Sequence, residues 1–262
     1  MDISFSTFSV RNKNLRVQLL KQPNADNKPW LVFLHEGLGC IELWKDFPLK
    51  LAKATGLNAI VYDRQGYGGS DQLDLPRPVN YLEIEALYFL PELLSKLNIS
   101  NPILVGHSDG GSIALIYAGK YPCAGVISEA AHIYVEEITI EGIKKAKSNP
   151  DLQLVKEKLK KYHGVKTDDI FSAWADTWLS ESFGEWNISD MLKGINCPVL
   201  LIQGMDDEYA TPIHIKKIIE AMPNARKVDS FLPENCGHIP HFQSTEAVME
   251  KMIQFIQQII SN

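Results

Sequence analysis

Six short apolar runs recur along this chain, and helical patterns separate most of them. They are "PWLVFLHE" from Pro29, "NAIVYDR" from Asn58, "PILVGHS" from Pro102, "GVISEA" from Gly125, "CPVLLIQG" from Cys197 and "ARKVDSFLP" from Ala225. Most lack polar alternation, and a strand that is apolar on successive residues must be covered on both faces. Between them "YLEIEALYFLPELLSKLN", the stretch after Ser108, "PIHIKKIIEAM" and "EAVMEKMIQFIQQIIS" carry helical spacing. The alternation predicts an α/β fold: a mostly parallel central sheet with helices on both faces. Ahead of it, "STFSV" and "LRVQLLKQ" alternate well enough to predict an antiparallel hairpin around "RNKN".

The rhythm breaks once. From His132 to Met191 there is no strand pattern, and "EEITIEGIKKAKS", "DLQLVKEKLKKYHG" and "DIFSAWADTWLSESFGEWNISDML" all read as helical. That is too long for an ordinary connection. The expected organisation is a core of residues 1–131 and 192–262, with a helical cap over 132–191 inserted between two strands. Trp174, Trp178 and Trp186, at spacings of four and eight, form a stripe that either packs the cap on the core or lines an apolar pocket.

Composition narrows the class. At 262 residues, 45% hydrophobic and 22% charged, the chain is long enough for one large globular core with an insertion. A net charge of −6 and the absence of any basic run argue against a nucleic-acid partner. No apolar segment reaches membrane-span length, so no membrane partner is expected. "MDISFSTFSV" lacks the features of a signal peptide, and Cys40, Cys123, Cys197 and Cys236 are scattered without Cys-x-x-Cys spacing. A cytoplasmic protein with free, packed cysteines is the expectation. Neither metal-ligand spacing nor a glycine-rich phosphate loop is present, so no metal or cofactor is expected and the partner is a small-molecule substrate.

The chemistry concentrates at strand ends, where sheets of this kind bind ligands. Gly106-His107-Ser108-Asp109-Gly110 fits Gly-x-Ser-x-Gly on a strand-to-helix turn. Such a turn projects the serine hydroxyl beyond the sheet; the plainer reading is a serine that caps the helix. Asp206 and Asp207 follow a later strand, and His238 stands in the glycine-marked loop "PENCGHIPH" after the last. A serine hydroxyl needs a histidine to take its proton, and that imidazole needs a carboxylate to fix its tautomer and stabilise its charge.

With these pieces the chain resembles the α/β-hydrolase superfamily along nearly its full length. "LVFLHEGLG" resembles the oxyanion loop, "VYDRQGYGGSD" the Asp-x-x-Gly-x-Gly-x-Ser segment, "VGHSDGG" the nucleophile elbow, "LIQGMDDEYATP" the acid loop and "CGHIPH" the histidine loop. It is similar to the small capped bacterial hydrolases, among them esterases and carbon–carbon bond hydrolases. The resemblance implies Ser108 as nucleophile and His238 as base. It favours Asp207, three residues past Gly204, over Asp206 as the acid. It places the backbone N–H groups of Asp109 and Gly37 in an oxyanion hole. Glu36 departs from the glycine usual after this histidine, which leaves Leu38 as an alternative donor. The Glu36 carboxylate is expected to turn away and pair with a cation such as Arg64, or to read a donor on the substrate. The Asp109 side chain, in the first turn of the following helix, is expected to be structural.

Of the other histidines, His35 and His107 are expected to bond locally, His163 and His214 to lie on the surface, and His241 to compete with His238. His132, Leu38, Trp174 and Trp178 are expected around the substrate. The expected activity is cleavage of a small or medium carboxylic ester through an acyl-enzyme. Carbon–carbon cleavage of a diketone-like substrate, thioester hydrolysis or acyl transfer, and ligand binding without catalysis stay open as alternatives. A serine at the elbow, where dehalogenases and epoxide hydrolases of this fold carry aspartate, argues against both.

Overall fold

A computed structural model describes residues 1–25 and 27–261. Its strands are β1 (Asp2–Val10), β2 (Lys13–Lys21), β3 (Leu31–Leu34), β4 (Ala59–Tyr62), β5 (Ile103–His107), β6 (Gly125–Glu129), β7 (Pro198–Ile202) and β8 (Lys227–Phe231). They form one sheet in the order β1-β2-β4-β3-β5-β6-β7-β8. β1 and β2 form the expected hairpin, turning at Arg11 and Asn12 with φ of 48° and 62°. β2 pairs antiparallel with β4, and every later pairing is parallel.

The helices are α1 (Phe47–Thr55), α2 (Tyr81–Ile84), α3 (Leu90–Lys96), α4 (Asp109–Lys120), α5 (Glu137–Lys147), α6 (Leu152–His163), α7 (Thr167–Trp178), α8 (Glu181–Gly184), α9 (Pro212–Glu220), α10 (Pro240–Gln243) and α11 (Thr245–Ile260). Strand alternation divides the core into two layers. Phe33, Val105, Ile127 and Leu200 face a layer with Leu51 of α1 and Met252 and Phe255 of α11. Val32, Leu34, Leu104, Val126, Val199 and Leu201 face the opposite layer, with Leu93 of α3 and Ile113 and Ile116 of α4. Both faces of β3, β5 and β6 are therefore buried, which is why these strands carry apolar residues in succession.

Three local features differ from the sequence reading. α1 has no counterpart in it, although Pro48 stands in the first turn and Gly56, at φ 66°, ends the helix in the left-handed region. The helical pattern from Tyr81 is not one helix: a π-helical turn, Glu85–Phe89, separates α2 from α3. Pro91 has no N–H to return to the Leu87 carbonyl, and the Tyr121 hydroxyl donates to that oxygen instead at 3.0 Å. The tryptophan stripe is also broken. α7 ends at Trp178, and Ser180 starts α8 by accepting from the Phe183 N–H at 3.3 Å. Trp186 thus lies beyond the helix of Trp174 and Trp178; it stacks on Phe183 at 5.1 Å and meets Trp178 edge-on at 5.9 Å.

Between β6 and β7 the described chain holds α5 to α8 and two 3₁₀ segments, Gly164–Lys166 and Ser189–Gly194, with one isolated bridge, Tyr134 to Asn187. All four cysteines are buried and free. Among the described residues no helix is long and apolar enough to cross a membrane.

Candidate active site

The elbow is built by close backbone approach. β5 ends at His107, Ser108 takes φ 53° and ψ −117°, and α4 begins at Asp109. A non-glycine residue there is strained, by about 1–3 kcal/mol. Its neighbours leave no choice: a Cβ on Gly106 would strike the backbone of Gly110, and one on Gly110 would strike the backbone of Leu34. The Ser108 N–H donates to the Glu129 carbonyl at 2.8 Å, tying the turn to β6. The Ser108 side chain makes no capping bond to α4, so the cap reading fails.

Three strand ends converge here. The Ser108 hydroxyl lies 3.0 Å from His238 Nε2, and His238 Nδ1 lies 2.9 and 3.0 Å from the two Asp207 oxygens. A carboxylate only accepts, so the Nδ1–H donates to Asp207 and the Nε2 lone pair is left for the serine proton. Burial opposes the charge on Asp207, but His238 and the Tyr209 N–H, which donates to Oδ1 at 2.8 Å, hold its pKa below the ordinary value. Asp206 is exposed and meets the histidine loop through its backbone alone, donating to the Cys236 carbonyl at 2.9 Å. His241 turns the other way: its Nδ1 lies 2.6 Å from buried Glu129.

Asp109 and Gly37 are buried, and neither backbone N–H donates to a protein acceptor among the described residues. A Cβ on Gly37 would lie 2.7 Å from Trp174 Cδ1 and 3.5 Å from Asp109 Oδ2, which sets this glycine between the indole and the elbow. The Leu38 N–H is likewise free, while its carbonyl accepts from His163 Nε2 at 3.0 Å.

The Glu36 carboxylate departs from expectation. Arg64 bonds the Glu36 backbone carbonyl (2.8 Å) and the Asp109 carboxylate (3.3 Å), not the Glu36 side chain. Glu36 Oε2 instead stands 3.7 Å from His107 Nδ1. His107 Nε2 donates to the His238 carbonyl at 2.7 Å, so this one imidazole reaches both the loop after β3 and the loop after β8. Burial opposes charge on His107, yet Glu36 holds its pKa above the ordinary value. Burial likewise opposes charge on Glu36, but His107, and more weakly His35, bring its pKa down to about 2. Asp109 is structural in a fuller sense than a helix-dipole contact. Its carboxylate also accepts from the Tyr81 hydroxyl at 2.9 Å, and Tyr81 in turn accepts from Trp178 Nε1 at 3.0 Å.

A cavity of about 250 Å³ opens over Ser108 and His238; Leu38, His132, Trp174 and Trp178 line it with Thr139, Ile143, Tyr209, Ile239, Glu36 and Glu208. Burial, with His214 and His238 nearby, lowers the His132 pKa to about 3, so its ring is neutral. Nε2 then donates to the Tyr209 carbonyl at 3.2 Å. His163 and His214 are not surface residues; they are 3% and 0% exposed. His163 accepts from the Gly68 N–H (3.0 Å) and His214 from the Ile133 N–H (2.9 Å), each joining the β6–β7 segment to the core. His35 bonds locally as expected, between the Glu36 carbonyl and the Arg64 N–H.

Cys40, Glu42 and Asp63 form the one group with metal-ligand proximity among the described residues, their ligand atoms within 4.8 Å of one another. Asp63 already accepts from the Ile41 and Gly69 N–H groups, both at 2.8 Å, so its oxygens serve the backbone.

A mostly parallel sheet with a serine elbow and strand-end carboxylate and imidazole defines a hydrolase architecture. The chain belongs to the alpha/beta hydrolase family, whose model matches residues 31–251. It is 24% identical to a proline iminopeptidase of Lactobacillus delbrueckii subsp. lactis, over 88% of this chain and 91% of that one. It is 23% identical to a 2-hydroxy-6-oxo-6-phenylhexa-2,4-dienoate hydrolase of Burkholderia cepacia, over 93% and 92%. The enol-lactonase from Burkholderia xenovorans LB400 superposes with a TM-score of 0.73 at 18% identity, covering 96% of this chain and 100% of that chain.

Proposed function

We propose that this protein is a serine hydrolase that cleaves a neutral, small or medium carboxylic ester through an acyl-enzyme on Ser108. The observation that carries the proposal is the Ser108–His238–Asp207 hydrogen-bond chain, at 3.0 and 2.9 Å. In this mechanism His238 takes the Ser108 proton as Oγ attacks the ester carbonyl, and Asp207 stabilises the resulting imidazolium. The Asp109 N–H and the Gly37 N–H receive the oxyanion, one donor being worth about 3–4 kcal/mol. His238 then protonates the leaving alcohol and activates the water that releases the acid. α5 to α8 serve as the cap, with Trp174 and Trp178 excluding water and shaping the acyl site.

Size and charge support the choice of ester. The cavity falls just below the usual range of about 300–1,000 Å³ for drug-sized ligands. Glu36 and Glu208 line it and, among the described residues, no lysine or arginine does. Those carboxylates oppose an anionic substrate such as a dienoate. The test is a panel of 4-nitrophenyl acetate, butyrate and hexanoate beside a thioester, a phenylhexadienoate and a prolyl arylamide. Fastest turnover of the neutral esters is expected; turnover of the dienoate or the arylamide without ester cleavage contradicts the proposal.

A further inference from the structure

A second cavity of about 270 Å³ lies behind the elbow, and its wall is basic: Arg11, Lys13, Arg64 and Arg77 against Asp74 and Glu85. Lys13 is matched by Asp74 at 2.5 Å. Arg64 is matched by Asp109, and buried Glu85 accepts the Tyr62 hydroxyl at 2.7 Å while facing Arg64. Two are left over: Arg11, exposed and lying over the Tyr88 ring, and the buried Arg77. The second, Arg77, is the one inside the wall. It is 9% exposed and, among the described residues, has no carboxylate within ion-pair distance.

Its surroundings satisfy the guanidinium only in part. Nη2 donates to the Tyr67 hydroxyl at 2.5 Å, and the group lies over the Tyr81 ring at 4.5 Å and near the Tyr67 ring at 5.8 Å. Ring faces stabilise the charge above and below the plane but accept nothing from in-plane N–H groups. Arg77 Nε and Nη1, with Arg64 Nε, are buried without a hydrogen-bond partner among the described residues. Leaving such donors unmet costs about 1–3 kcal/mol each, more on a charged group. Two planar guanidinium groups on one cavity wall suit an oxygen anion that accepts from both.

We propose that this cavity is a binding site for a small oxyanion, a carboxylate or a phosphate, held by Arg77 and Arg64 and separate from the catalytic pocket. The mouth carries exposed Arg11, which draws an anion inward, while Lys13 stays paired with Asp74. The inner wall includes Tyr81, whose hydroxyl bonds Asp109, so the site backs directly onto the nucleophile turn.

Calorimetric titration of the full chain with inorganic phosphate, and separately with sodium acetate, at constant ionic strength in chloride tests this. Saturable binding of one anion per chain is expected, and the stronger of the two identifies the oxyanion. Arg77→Gln should weaken binding tenfold or more, and Arg77→Lys, which keeps the charge but loses the fork, should weaken it less. If Arg77→Gln does not fold, the side-chain Nε–H resonances of Arg64 and Arg77 in the unaltered protein decide, and both should shift saturably. Unchanged affinity in a folded Arg77→Gln, a non-saturating response, or unmoved arginine resonances overturns the proposal.

Discussion

Tyr81→Phe removes one oxygen and keeps the ring that packs near Phe183 at 6.2 Å and under Arg77. That oxygen joins three elements: it accepts from Trp178 of α7, donates to Asp109 at the start of α4, and belongs to α2. All three residues are buried, at 8%, 3% and 2% exposure, so water does not readily replace the lost bonds. The Trp178 N–H is left unpaired at about 1–3 kcal/mol, and Asp109 loses a charge-assisted bond while Arg64 remains. The sum is a destabilisation of about 2–4 kcal/mol. At about 2–4 °C per kcal/mol for a chain of this size, Tm should fall by roughly 5–15 °C. Urea unfolding followed by intrinsic fluorescence at neutral pH, with calorimetry for Tm, measures both. A loss below about 1 kcal/mol, with an unchanged slope against urea, refutes the reasoning that the hydroxyl holds α7 to the elbow.

Asp207→Asn should lower turnover roughly 10⁴-fold, because the amide favours the wrong imidazole tautomer, and Asp206→Asn should change it little; steady-state rates with 4-nitrophenyl butyrate decide, and the reverse ranking contradicts the acid assignment. Trp174→Ala should alter the ratio of hexanoate to acetate turnover several-fold, within about 1–3 kcal/mol for one lost apolar wall; equal loss on both esters argues against a wall role. Glu36→Gln tests the pair with His107. Because His107 is raised from 6.5 and Glu36 is lowered from 4.5 to about 2, the pair contributes fully between pH 4.5 and 6.5. Its contribution is lost as pH rises through the His107 value, and again as pH falls toward 2. The variant should therefore be less stable by about 1–2 kcal/mol near pH 6, with the difference shrinking in alkali; a pH-independent difference in urea stability contradicts this.

How far residues disclosed their places depended on the range of the interaction. The strands of the sheet were legible because Val32, Leu104 and Val126 repeat one requirement, burial on both faces. The convergence of Ser108, Asp207 and His238 was legible because each follows a strand in a glycine-marked loop. α1 was missed because its apolar face is short and interrupted by Lys50 and Lys53, although Pro48 and Gly56 mark its ends. The histidines show the limit most directly. His163 and His214 sit in polar, lysine-rich stretches that read as surface, yet each accepts a backbone N–H from a segment 81 or more residues away. The Trp178–Tyr81–Asp109 chain and the open donors of Arg77 likewise need three dimensions, since no spacing relates their members. Glu36 was legible as a departure, but its partner was not: Arg64 and His107 both stand at neighbouring strand ends, and only the geometry separates them.

The most direct test is the mass of the intact protein after reaction with a fluorophosphonate, with the labelled peptide located by fragmentation. One adduct per chain is expected, on Ser108, absent from Ser108→Ala and formed far more slowly in His238→Ala. Labelling of a different residue, or equal labelling of the folded Ser108→Ala protein, contradicts it.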